Sequence, residues 1–214
     1  MISYIYLIYP FYFMLLNYIL PDNIPHFLST KEKFITSFNA TLNCVMTILV
    51  SSSYFLNETD INRKIVFYYG TSYYIWDLFR IVLQKDVKNY FYIYHHYVTI
   101  LMLENIYLNN ESRIINQIFL IGEISNISYH TVANLLKFKN KKHLWVKRAR
   151  TIQIGTHLFL RLILPLIYLK SVFNLKDKIL VFNLYSIYLV GFLWMYKLIT
   201  SYLKDYNNEK LKYF

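Results

Sequence analysis

Apolar runs long enough to cross a bilayer recur along nearly the whole chain, and no other feature restricts its fold so severely. A helix rising 1.5 Å per residue needs roughly 17–25 residues to cross about 30 Å of hydrocarbon. Seven runs meet that length, at 2–20, 34–56, 65–84, 90–108, 114–136, 151–169 and 179–200. Backbone N–H and C=O groups find no water inside a bilayer, so runs of this length must bond internally as helices. The expected fold class is therefore all-α: a polytopic membrane protein with about seven transmembrane helices. The run 65–84 is the weakest because Asp77 and Arg80 interrupt it, although at i,i+3 the two can pair on one helix face.

Composition agrees. Hydrophobic residues make up 56% of the chain and charged residues 16%, against about 25% charged in a soluble domain. A net charge of +11 would suggest nucleic acid in a soluble protein, but here the basic residues lie between apolar runs rather than along one solvated face. No nucleic-acid partner is expected. Cys44 is the one cysteine, which excludes an intramolecular disulfide framework and a multi-cysteine metal site. The abundance of Tyr, Phe, Ile, Asn and Lys is what an AT-rich coding sequence produces, and it is given no functional weight. The first run lacks a basic leader and a small-residue cleavage site before Pro21, so it reads as a retained helix.

Orientation follows from the positive-inside rule. The segment 137–150 carries Lys137, Lys139, Lys141, Lys142, Lys147, Arg148 and Arg150 and is expected in the cytosol. Alternation then places the N-terminus in the lumen and the C-terminus in the cytosol. The sequons at Asn57 and Asn110 fall on the lumenal side. Lys210 and Lys212, five and three residues from the end, resemble a cytosolic dilysine retrieval signal. They predict an endoplasmic-reticulum membrane protein recognised by COPI-type retrieval machinery.

Ionisable groups inside spans are costly and normally face the bundle interior. Asn116, Glu123, Asn126, His130 and Asn134 recur at steps of seven, three, four and four, one continuous stripe of a 3.6-residue helix. Gln153, His157 and Arg161 repeat every four residues and end at Pro165. His95, His96 and Thr99 stand near the cytosolic end of the fourth run, and Asp77 interrupts the third. Single polar residues in spans are commonly interhelical glue, but three inward stripes plus Asp77 predict a shared polar cavity opening toward the cytosolic leaflet. Burial unpaired would cost several kcal/mol per group, so Glu123 is expected to meet Arg161 or a histidine. No metal is expected: His95 and His96 diverge by about 100° around their helix, poor geometry for one ion.

Tyr94-His95-His96-Tyr97-Val98-Thr99 resembles the HHxxT element of the TLC-domain family, which includes the ceramide synthases. Arg113, Ile118 and Glu123-Ile124-Ser125 fit the register of the motif that follows, with Ile115 for its Gly, Gly122 for its His and Asn126 for its second Asp. Tyr73-Tyr74-Ile75-Trp76-Asp77-Leu78 and Phe159-Leu160-Arg161-Leu162-Ile163-Leu164-Pro165 look more like the members that are not ceramide synthases. The likeness runs from about Thr36 to Thr200. It implies a first helix and cytosolic connection over 1–33, a six-helix membrane domain over 34–200 and a cytosolic tail over 201–214.

The resemblance implies catalytic roles for His95, His96, Asp77 and Glu123, with imidazole as base or nucleophile and carboxylates orienting it. Arg161, Asn126, Thr99, His130 and His157 would hold a lipid or its headgroup. No bound cofactor is implied, and acyl-CoA is the candidate substrate. Asn126 cannot ionise, which argues against ceramide synthesis itself. Three function classes stay open: a protein that binds or regulates membrane lipids, an acyl-CoA-dependent lipid acyltransferase, and a protein trafficking or translocation factor. The oligomeric state is not legible.

Overall fold

Within the described residues each apolar run holds one helix. The computed structural model describes residues 8–20, 31–83, 90–108, 112–138 and 143–210. Among them are seven helices and no strand: α1 (Ile8–Ile19), α2 (Lys31–Leu56), α3 (Asp60–Leu83), α4 (Tyr90–Leu108), α5 (Ser112–Phe138), α6 (Leu144–Phe173) and α7 (Lys178–Lys210). Several outrun the apolar windows, because hydrocarbon limits only the part of a helix it surrounds. Thus α3 begins at Asp60, where the Thr59 hydroxyl accepts the Asn62 backbone N–H at 3.1 Å. Lys137, Lys147, Arg148 and Arg150, expected in a loop, lie in α5 and α6. Asn57 follows α2, whereas Asn110 and Lys212 lie outside the described residues.

α2, α3, α4, α7, α6 and α5 pack in that order into a ring, with α1 outside against α2 and α3. The fixing point of α1 is Tyr9, fully buried, whose hydroxyl donates to Asn43 at 3.1 Å. Its ring packs edge-on to Tyr69 and Tyr73 and stacks on Trp76. The ring of helices differs from a soluble bundle in the polar groups set among its apolar core and in its apolar surface. Asn39, Asn43, Thr47, Asp77, Glu123 and Gln153 are buried, while Leu49, Phe79, Phe159, Ile167, Phe182 and Leu189 are exposed. So apolar an exterior is stable only where it meets lipid.

Three described helices are long and apolar enough to cross a membrane by composition, at Phe34–Leu56, Leu144–Phe173 and Lys178–Asp205. The chain is an integral membrane protein. α3, α4 and α5 have lower claims on composition because they carry the interior polar groups.

α6 is not uniform. Residues Leu158–Ile163 form a π-helical stretch. Pro165 lacks an N–H and its ring crowds the carbonyl four residues back, so the turn before it widens and the Leu164 N–H reaches Phe159 O. α7 braces this wide turn. Tyr188 donates to Leu162 O at 3.1 Å, and Gly191 lets the backbones close, since a Cβ there would stand 3.3 Å from Leu162.

Candidate functional site

An open cavity of about 1090 Å³ occupies the end of the ring at which α5 ends and α6 begins. Its walls come from the start of α2, the end of α3, the start of α4, the end of α5, the start of α6 and the end of α7. Alternating chain direction brings these ends together. Asp77, His95, His96, Glu123, Asn126, His130, His157 and Arg161 all line it. Thr99 does not: its hydroxyl donates to His95 O at 2.8 Å, and it faces a second, apolar pocket of about 110 Å³. That pocket lies between α4, α5, α6 and α7, with Met102, Phe119, Leu169, Val172 and Leu184 in its walls. His95, Glu123 and Arg161 border both spaces.

The two adjacent histidines have different surroundings. His96 is buried and held at both nitrogens, by Tyr92 O to Nδ1 at 2.8 Å and Asp77 Oδ2 to Nε2 at 2.9 Å. A carbonyl oxygen only accepts, so Nδ1 carries a proton and donates. Nε2 faces a carboxylate, so one further proton is shared between imidazole and acid. Asp77 Oδ1 in turn accepts from Arg80 Nε and Nη2, each at 2.8 Å. The i,i+3 pair expected from the sequence is present, and His96 completes a chain of three. His95 is packed edge-on between Tyr74, His96 and Trp194. Its buried Nδ1 has no hydrogen-bond partner among the described residues. Of the pair, His95 is the imidazole with an unengaged nitrogen.

The carboxylate of Glu123, buried in α5, accepts from the Tyr74 hydroxyl. This corrects the expectation of a bond to Arg161 or a histidine. Tyr74 lies one turn before Asp77 on α3, and its phenol reaches Glu123 across the interior. Arg161 instead donates from Nε to Ser125 Oγ at 2.6 Å and from Nη2 to Asn126 Oδ1 at 2.6 Å and Gly122 O at 3.3 Å. Its guanidinium lies 5.4 Å from the Trp194 ring centroid. The Asn126 amide also stands near Glu123, so a neutral side chain mediates between cation and acid.

His157 Nε2 donates to Gly191 O at 3.1 Å, tying α6 to α7. His130 packs against Tyr129, whose hydroxyl meets that of Tyr92 at 3.0 Å across α4 and α5. Arg113, one of the motif positions, pairs with Glu58 at 3.0 Å at the opposite end of the bundle. Sequence reasoning did not single out Tyr74, Tyr92 or Trp194 as site residues: tyrosine is abundant everywhere in this chain, and an indole in an apolar run carries no charge to mark it. The i,i+3 spacing of Tyr74 and Asp77 was the available signal. No three His, Cys, Asp or Glu side chains among the described residues stand close enough to hold a metal ion.

The arrangement offers an unengaged imidazole, a fixed guanidinium and a held acid where a polar chamber meets an apolar one. A family model of the TLC domain matches residues 1–203. The match begins before the stretch in which motif resemblance was legible and includes the first helix. No curated protein and no solved structure matches the chain.

Proposed function

The chain belongs to the TLC-domain family, and from that premise we propose that it binds membrane lipid within its helical ring and regulates lipid composition. The observation that carries this reading is the junction of the two spaces at His95, Glu123 and Arg161. A polar chamber suits a headgroup and an apolar pocket suits a chain. The tail lysines and the basic segment 137–150 support residence in the endoplasmic reticulum with the chamber toward the cytosol.

A second reading rests on one observation, the unpartnered Nδ1 of His95. In an acyl transfer from acyl-CoA, His95 would take the proton of a lipid amine or hydroxyl as that group attacks the thioester carbonyl, and return it to the departing thiolate. Tyr74 and Glu123 would orient the nucleophile, and Asp77 with Arg80 would keep His96 fixed beside His95.

Lipid extraction from purified protein, together with lipidomics of cells expressing wild type or His95→Ala/His96→Ala, tests both. Co-purified lipid with an acyl-chain profile insensitive to the histidines is the result expected of a binder. A profile that changes only with intact histidines would move the assignment to transferase. Absence of any co-purified lipid, with no change in profile, would refute both readings.

A further inference from the structure

Arg161 lies twelve residues from the Phe173 end of α6, about 18 Å at 1.5 Å per residue, so its charge sits deep within the span. Three of its N–H bonds go to Ser125, Asn126 and Gly122, all neutral acceptors. Nη1 donates to no described residue. Neither nearby acid supplies a hydrogen bond: Glu123 accepts from Tyr74, and Asp77 is held between Arg80 and His96. A guanidinium so deep in the membrane, fixed by neutral groups with one end unengaged, is built to receive an anion. His95, unpartnered at Nδ1, packs against the same Trp194 ring and borders the same two spaces.

The apolar pocket defines the rest of the ligand. At about 110 Å³ it is small beside common ligand sites, with room for part of one alkyl chain rather than two. Gly122 lies in its wall, and a Cβ added there meets nothing within 4 Å.

We propose that the ligand is a single-chain lipid with a carboxylate head, received by Arg161 Nη1 with His95 and extending its chain past Gly122 into the apolar pocket. The proposal rests on the lipid-binding reading and narrows it from lipid in general to fatty carboxylates. Carboxylate is preferred to phosphate because the fork has one free nitrogen and Glu123 stands close by, so a singly charged head is the better match.

The test is displacement of radiolabelled hexadecanoate from full-length protein in phosphatidylcholine nanodiscs at a pH where the acid is ionised. The competitors are hexadecanoate, hexadecanol, hexadecyl phosphate and octanoate. Wild type should prefer hexadecanoate to hexadecanol by at least about tenfold. Arg161→Gln should erase that preference by weakening hexadecanoate alone, and Arg161→Lys should keep part of it. Gly122→Leu should weaken hexadecanoate and octanoate alike, because a chain that starts at Arg161 passes Gly122 within its first carbons. Equal displacement by hexadecanol and hexadecanoate in wild type would overturn the proposal without reference to any variant's folding. So would a preference for hexadecyl phosphate, an unchanged preference in Arg161→Gln, or no displaceable hexadecanoate from a protein that co-purifies other lipid. Absence of all co-purified lipid defeats the broader reading instead, so the two failures are separable.

Discussion

Replacing Asp77 by Ala removes the acid between Arg80 and His96, and the structure sets the size of the effect. Arg80 loses two contacts at 2.8 Å and His96 one at 2.9 Å. Breaking a buried ion pair from one side costs about 3–5 kcal/mol, because the remaining charge is left uncompensated. His96 is almost fully buried, but the Arg80 side chain keeps 23% exposure at the cavity wall and can take up water. The expected loss is therefore about 3 kcal/mol, a fall in thermal midpoint of about 6–12 °C for a chain of this size. Asp60 supplies the internal comparison. It makes the same i,i+3 pairing with Arg63, at 2.5 Å, and a further contact to Lys64, but its carboxylate is half exposed. Asp60→Ala should leave the midpoint unchanged within measurement. The double variant Asp77→Ala/Arg80→Ala should be destabilised by less than the sum of its singles. Detergent-solubilised protein followed by intrinsic fluorescence on heating provides the readout. Equal shifts for Asp77→Ala and Asp60→Ala, or strict additivity of Asp77 and Arg80, would refute the argument that the interior pair is desolvated.

Three further outcomes follow from contacts elsewhere. Gly70→Ala places a Cβ 2.9 Å from two methyl carbons of the fully buried Leu103, so it should cost about 1–3 kcal/mol; Leu103→Val should recover part of that in the same melting assay, whereas Gly122→Ala should be neutral. Tyr74→Phe leaves the Glu123 carboxylate without its donor and should cost about 1–3 kcal/mol, a loss that Glu123→Gln does not deepen when combined with it. Lys210→Ser/Lys212→Ser should shift the protein forward from the endoplasmic reticulum by microscopy, and an unchanged distribution would show that the tail spacing is coincidental.

The elements were legible because hydrocarbon imposes one requirement on every span, and the inward stripes were legible because charge in lipid is confined to the interior. Asn126, His130, His157 and Arg161 could thus be assigned to one cavity from spacing alone. Partner choice was not legible. Whether Glu123 meets Arg161 or Tyr74 depends on how far α3 and α6 stand from α5, and spacing within one helix carries no such information. The division between His95 and His96 was hidden for a related reason. Adjacent positions differ by about 100° around α4, but the sequence does not say which direction faces Asp77. Tyr74 and Tyr92 escaped because a residue type common throughout a chain gives no contrast at the few places where it matters, and Trp194 because an indole in an apolar run carries no charge to mark it.

The wide turn in α6 has a consequence for register along that helix. From Gln153 to Val172 is nineteen residues, which at about 100° each in a regular α-helix amounts to five turns and roughly 100° of excess rotation. Across the six residues Leu158–Ile163 a π-helix of about 4.4 residues per turn rotates by roughly 18° less at each step, which cancels nearly all of that excess. Gln153 and His157 on the polar chamber and Leu169 and Val172 on the apolar pocket are thereby brought into phase on one side of a single rod. Deleting one residue from the wide turn would leave eighteen steps of about 100° each, five whole turns, so ordinary winding would return with both halves of the helix still in phase. Ordinary winding at unchanged length would instead turn Leu169 and Val172 by about 100° away from the apolar pocket, so the wide turn absorbs the one residue by which α6 exceeds whole turns between its two compartments.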